Sequence, residues 1–114
     1  MVAPPRQPRI ARGDVWLVIL DPTVGSEIQK TRPCVIISPP ELHDHLRTVL
    51  AAPLTTGSHL TSFRIAVRFQ AKDGIILLDQ IRALDKQRLV RRLGRINSGI
   101  LLHTLSVLRE MFEE

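Results

Sequence analysis

The sequence predicts a mainly β fold: a small barrel or sandwich followed by one C-terminal helix. Two observations carry the β part. Short apolar runs rich in β-branched residues recur along the chain, separated by turn residues about every ten positions. Residues 63–69 alternate strictly, Phe63, Ile65, Val67 and Phe69 against Arg64, Ala66 and Arg68, as in an antiparallel strand with one wet face. The third observation is a helical period confined to the end of the chain, where Leu101, Leu105, Leu108 and Phe112 fall on one stripe with Leu102 and Met111 beside it.

The elements follow in order. Residues 1–11 form a proline-broken basic tail, and 12–114 form the single domain that 114 residues allow. Val15–Leu20 is an apolar run stopped by Asp21-Pro22 and reads as a buried strand. Residues 21–31 are a polar loop, long enough in so small a domain to suggest a task. Residues 33–38 make a second strand, ended by Pro39-Pro40, and Glu41–His45 a helical turn. A third strand covers Thr48–Ala52 and ends at Pro53. After turn material at 55–58 comes the alternating strand 63–69. Asp73-Gly74 marks a turn before the apolar run Ile75–Leu78, and 80–84 and 89–96 supply further strand. Asn97 or Ser98 caps the terminal helix.

Composition narrows the function classes. Apolar residues make up 44% and charged residues 24%, ordinary values for a folded domain. No run approaches the ~18 apolar residues of a membrane span, and the N-terminus lacks the apolar core of a signal peptide. The expectation is a cytoplasmic protein with no membrane partner. One cysteine, Cys34, makes neither a disulfide nor a cysteine-rich metal site, and inside an apolar strand it reads as buried and inert. The net charge is +5. Its excess sits in 82–95, where Arg82, Lys86, Arg88, Arg91, Arg92 and Arg95 face Asp85 alone. Arginine outnumbers lysine thirteen to three. Such a segment is either a solvated face or a footprint for an anionic partner.

Candidate chemistry is sparse. His43 and His45 stand close together, but no third ligand follows at a recognisable spacing, so they read as surface histidines; no metal and no cofactor is expected. There is no glycine-rich phosphate loop. Trp16, Phe63, Phe69 and Phe112 all lie in apolar periodicity, which leaves no stacking platform. Polar residues at strand ends are more informative. Arg32 precedes a buried strand, Thr55 and Thr56 follow another, and Asp79-Gln80 interrupts an apolar run. Composition alone makes Arg32 a loop arginine and Asp79 a strand-end acid.

In their order, four segments resemble one family. They are Arg12-Gly13-Asp14-Val15-Trp16 with Leu20-Asp21-Pro22-Thr23-Val24-Gly25-Ser26-Glu27; Lys30-Thr31-Arg32-Pro33; Pro53-Leu54-Thr55-Thr56-Gly57; and Leu78-Asp79-Gln80-Ile81-Arg82 running to Lys86. Together they are similar to the MazF/PemK (Kid) toxins. The resemblance implies a small SH3-like barrel with a C-terminal helix, paired as a homodimer. It implies a metal-independent, sequence-specific endoribonuclease acting on single-stranded RNA and neutralised by a cognate MazE-like antitoxin. Carried over residue by residue, the catalytic pair falls on Arg32 and Thr55, with Glu27 and Asp79 as further catalytic candidates. Lys30, Thr31, Thr56, Gln80 and Arg82 are the RNA-binding candidates. In the Kid-like branch an arginine precedes the Asp79 position by two, where this chain has Leu77, and a histidine stands where it has Ser26. The acid–base scheme of that branch therefore does not transfer.

Metal-free RNA cleavage uses the neighbouring 2′-OH as nucleophile. Arg32 suits stabilisation of the phosphorane, since it is always charged and donates parallel hydrogen bonds. Glu27 or Asp79 is the natural base if either lies near it. Two other readings stay open: a CcdB-like poison of DNA gyrase on the same fold, working through the terminal helix, and a non-catalytic nucleic-acid-binding module using 82–95.

Overall fold

The computed structural model describes residues 9–20, 31–57 and 59–114. The tail before residue 9 and the loop 21–30 lie outside the described residues. The elements are β1 (Asp14–Ile19), β2 (Thr31–Ile36), a short helix α1 (Pro40–His43), β3 (Thr48–Thr55), β4 (Arg64–Phe69), β5 (Lys72–Leu77), β6 (Arg82–Asp85), β7 (Leu89–Arg95) and α2 (Ser98–Met111). A 3₁₀ turn, Leu78–Gln80, joins β5 to β6, and another, Lys86–Arg88, joins β6 to β7. All strand pairs are antiparallel. They form one curled sheet in the order β4-β5-β3-β2-β1-β7, with β6 also on β3.

The central strands are buried on both faces, which is why they read as continuous apolar runs. Val15, Val35, Ala52 and Leu54 point into one core, together with Ile65, Val67, Ile76 and Leu78, and α2 packs over it through Ile100, Leu101, Leu105 and Leu108. The alternate residues Trp16, Val18, Cys34, Ile36, Val49 and Ala51 enter a second core with Leu84.

β3 is longer than expected: it runs through Pro53 to Thr55. One of its edges pairs with β6 over Thr48–Ala51 and with β5 over Leu54–Thr55. Pro53 falls at the break between those two ladders, where a strand tolerates proline. The β4–β5 turn lies at Gln70-Ala71, not at Asp73-Gly74. Both turn residues are left-handed, φ 51° and 62°, as a two-residue hairpin turn requires. For residues other than glycine that conformation costs roughly 1–2 kcal/mol each. Gly74 stays inside β5 because a Cβ there would stand 3.3 Å from the Thr55 carbonyl and from Leu54. Phe63, expected to point inward, precedes β4 in a left-handed conformation and is exposed. In α2 the cap is Asn97, whose Oδ1 accepts from the Ile100 amide at 2.8 Å. The helix stops at Met111, so Phe112 leaves the stripe and is 77% exposed; Leu102 also faces out.

Two buried polar groups organise the N-terminal side. Asp14, only 2% exposed, accepts from the Ala11 amide (2.9 Å) and Trp16 Nε1 (3.3 Å) and pairs with Arg92 Nε (3.1 Å). His43 is not a surface histidine. It is fully buried, with Nδ1 2.8 Å from Ser38 Oγ and Nε2 2.7 Å from the Ile10 carbonyl. The Leu50 amide in turn donates to Ser38 Oγ. The Ile10 carbonyl can only accept, so Nε2 carries the proton and Ser38 donates to Nδ1. Its neighbour His45 is exposed.

Asp14→Ala is expected to cost about 3 kcal/mol in urea unfolding, because it strands the Trp16 indole N–H and removes the carboxylate beneath Arg92. A loss under about 0.5 kcal/mol would show that the network carries no stability.

Candidate active site at the ends of β2 and β3

The β2–β3 register pairs Cys34 with Pro53 and Val35 with Ala52. Continued two residues outward, it sets Arg32 opposite Thr55. Arg32 Nη1 stands 3.5 Å from Thr55 Oγ1, a long contact. Thr55 Oγ1 also accepts from the Gly57 amide at 3.3 Å. A hydroxyl has two acceptor lone pairs and one proton. The Gly57 amide takes one acceptor position and the long Arg32 contact bears on the other, which leaves the hydroxyl proton for a further group. Among the described residues, the remaining donors of Arg32 meet no acceptor.

The pair forms a ridge between two cavities that share it. The larger, about 640 Å³, is lined by Thr31, Thr56 and the β4–β5 hairpin tip. The smaller, about 400 Å³, is lined by Leu20, Pro53, Gly57, Leu77 and Gln80. Both volumes lie within the ~300–1,000 Å³ range of ligand sites. The geometry thus brings Arg32, Thr55, Thr31, Thr56 and Gln80 together. Arg82, on β6 opposite Ala51, lines neither cavity. Glu27 and Lys30 lie outside the described residues.

Asp79 is committed elsewhere. Its carboxylate takes a two-pronged ion pair from Arg64, Nε–Oδ1 3.0 Å and Nη2–Oδ2 3.1 Å. The Arg64 hydrogen bond is the main reason its carboxyl sits below the usual carboxylate range. Arg64 is the cross-strand partner of Leu77. A guanidinium therefore reaches the Asp79 carboxylate from β4, although position 77 carries none. Sequence reading missed this pair because it spans the hairpin; the alternating arginine at 64 was its only signal.

Cys34 is buried, and that burial pushes its thiol up to about 11 despite the nearby charges of Arg82 and Arg32. Phe69 packs against the first core, as its apolar periodicity predicts, and also forms part of the larger cavity's wall. The basic 82–95 segment is dispersed. Arg92 pairs with Asp14, Arg88 Nη1 donates to the Ile19 carbonyl at 3.4 Å, and Arg95 Nη2 to that of Arg12 at 3.4 Å. None of its residues lines either cavity beside Arg32.

Residues 11–112 match the family described as PemK-like, MazF-like toxin of type II toxin–antitoxin system. The chain belongs to this family. Among curated MazF/PemK relatives, Endoribonuclease MazF of Staphylococcus epidermidis is 40% identical over 90 residues, 74% of this chain and 75% of the relative. Endoribonuclease PemK of Escherichia coli is 34% identical over 106 residues, 88% and 80% respectively. The fold is that of solved MazF structures. MazE-MazF (Form-II) from Deinococcus radiodurans superposes with a TM-score of 0.77 at 21% identity, covering 90% of this chain and 94% of that one. An endoribonuclease in complex with its cognate antitoxin from Mycobacterial species gives 0.73 at 22% identity, covering 90% and 93%. Among the described residues of this MazF/PemK chain, no helix is long and apolar enough to cross a membrane.

Two outcomes are expected. In folded protein near pH 8, Cys34 resists iodoacetamide, since a thiol at about 11 is only about one thousandth thiolate there; rapid alkylation would contradict its burial. Arg64→Gln returns the Asp79 titration toward its ordinary value, as followed by carboxyl NMR. The lowered value means that the stability Asp79 contributes is in place above about pH 4 and fades as pH falls through the folded-state value. An unmoved titration would show that Arg64 is not the cause.

Proposed function

We propose that the chain is a metal-independent endoribonuclease toxin that cleaves single-stranded RNA sequence-specifically beside Arg32 and Thr55. It thereby blocks translation in the cytoplasm and is held in check by a cognate MazE-like antitoxin. The observation that carries this reading is the Arg32–Thr55 ridge between two adjoining cavities, in a chain whose curated relatives are named endoribonucleases.

The 2′-oxygen adjacent to the scissile phosphate attacks phosphorus. The O2′–P bond forms as the P–O5′ bond breaks and the departing 5′-oxygen takes a proton from water, leaving a 2′,3′-cyclic phosphate and a 5′-hydroxyl. Arg32 donates to the two non-bridging oxygens as negative charge grows on them. Thr55 donates a hydrogen bond from its hydroxyl to a phosphate oxygen; a neutral hydroxyl is too weak a base to take the 2′ proton. We assign the base to Glu27, which takes the 2′ proton. Asp79 is given a positioning role, because its carboxylate already bonds Arg64 and a lowered pKa makes it a weaker base. Thr31 and Thr56 in the larger cavity, Gln80 in the smaller, and Lys30 are assigned to holding the strand on either side; Arg82, which lines neither cavity, is given no such role.

The homodimer belongs to the same proposal. Phe112, the most exposed large apolar side chain among the described residues, borders an apolar groove with Leu50, Ile81 and Leu105. A second copy is placed there.

Purified protein is expected to cut single-stranded RNA in excess EDTA, leaving cyclic-phosphate ends. Arg32→Ala is expected to reduce the rate by at least about 10²-fold while the far-UV spectrum is unchanged. Near-wild-type cutting by folded Arg32→Ala would overturn the assignment. Phe112→Asp is expected to shift sedimentation to the 12.9 kDa monomer; an unchanged dimer would move the interface elsewhere.

A further inference from the structure

The larger cavity extends well past the catalytic ridge. Its far wall is the tip of the β4–β5 hairpin, formed by Phe69, Gln70, Lys72 and Asp73. Asp73 is exposed and paired with Arg68 at 3.0 Å. Gln70 and Lys72 are exposed as well.

Gln70 Nε2 donates to the Leu93 carbonyl on β7 at 3.2 Å. That bond fixes the orientation of the amide. Its other end, Oε1, is an acceptor that no donor among the described residues meets. Gln70 also sits in the left-handed turn, φ 51°, where glycine or asparagine is the usual occupant. Phe69, just before it, is half-buried. Its ring edge lies against Gly94, where an added Cβ would stand 3.2 Å from Cζ, and the side chain packs on the first core, which holds the ring in place. Lys72, its cross-strand partner, makes no ion pair among the described residues. One wall thus combines an oriented acceptor, a fixed aromatic ring and an uncommitted cation, next to a site for a phosphodiester.

We propose that this wall is a nucleobase subsite, in which Gln70 Oε1 accepts from the exocyclic amine of a base flanking the scissile phosphate, Phe69 supports that base, and Lys72 meets a neighbouring phosphate. The proposal rests on the endoribonuclease reading and adds a preference to it. Adenine, cytosine and guanine carry exocyclic amines. Uracil offers only its ring N3–H, flanked on both sides by carbonyls that meet Oε1 as acceptor against acceptor, and the Gln70 Nε2 that could serve one of those carbonyls is already bonded to Leu93. The subsite therefore favours an amino-bearing base over uracil at one position beside the cut. That choice is made by the hairpin tip.

The test is cleavage of a randomised single-stranded RNA pool by wild type and Gln70→Gly, with the 5′ ends sequenced. Glycine adopts the left-handed turn without strain, so this variant removes the side chain and keeps the hairpin. Wild type is expected to disfavour uracil at one position next to the cut. Gln70→Gly is expected to keep cutting but to lose about tenfold of that preference, at that position alone. Lys72→Gln is expected to weaken RNA binding evenly across sequences and to reduce the salt slope by about 0.7. An unchanged cut motif in folded Gln70→Gly overturns the subsite. So does a folded Gln70→Gly that no longer cuts at all, or one relaxed equally at every position. Absence of cutting by wild type would instead overturn the nuclease reading itself.

Discussion

β3 has to satisfy three partner strands, and the candidate site follows from how it does so. One edge pairs with β2. The other starts on β6 and passes to β5 where the sheet curls. The β2–β3 register is set by burial: slipping it by one residue would move Ala52 and Leu54 out of one core, and Ala51 out of the other, all at once. The same register brings Arg32 opposite Thr55. Neither residue needs a dedicated support, because the cores that stabilise the sheet also fix their distance. Placing the pair on strand ends anchored in two cores gives it more rigidity than a pair carried by loops.

The N-terminal side is held by charge and hydrogen bonding more than by apolar area. Asp14 gathers an amide, an indole N–H and the Arg92 guanidinium around one buried carboxylate. His43 holds the Ile10 carbonyl from the other direction. Residues 9–13 thus run along the sheet between two polar anchors. This reassigns the charge excess of the sequence. Much of 82–95 closes the fold, since Arg92, Arg88 and Arg95 each bond a particular oxygen on the N-terminal third of the chain. In the proposed reading the phosphate at the cut is met by Arg32, which composition did not distinguish from any other basic residue.

What was legible in the sequence is what depends on neighbours within a few residues. The runs at 15–20 and 33–38 were readable as buried strands because both faces are apolar. Asn97 was readable as a cap because the helical period starts directly after it. The misreadings share a cause. Pro53 looked like a strand end and Asp73-Gly74 like a turn, but a break between two ladders admits the proline, and the glycine is needed where β5 passes close to β3. His43 looked like a surface residue because its partners, Ser38 and Ile10, come together only once β1 and β2 are paired. The Arg64–Asp79 pair spans fifteen residues and was invisible for the same reason. In the site, Arg32 and Thr55 became legible through motif resemblance, and their contact became explicable through register.

The ridge geometry also constrains how RNA lies there in the proposed reaction. In-line attack needs the 2′-oxygen, the phosphorus and the 5′-oxygen close to one line, and a near-attack arrangement of this kind accounts for much of the available acceleration. A continuously stacked strand does not present that alignment. In the proposed reading, a strand crossing the Arg32–Thr55 pair would have one flanking nucleotide in the larger cavity and the other in the smaller, so its bases would part there. Unstacking of this kind is how proteins read single-stranded RNA, because each separated base exposes its edges. The same splaying that aligns the 2′-oxygen would carry one base edge toward Gln70 and the other nucleotide toward Gln80. Cutting and base selection then depend on a single distortion of the substrate, and a strand whose bases fit neither cavity also fails to reach the in-line geometry.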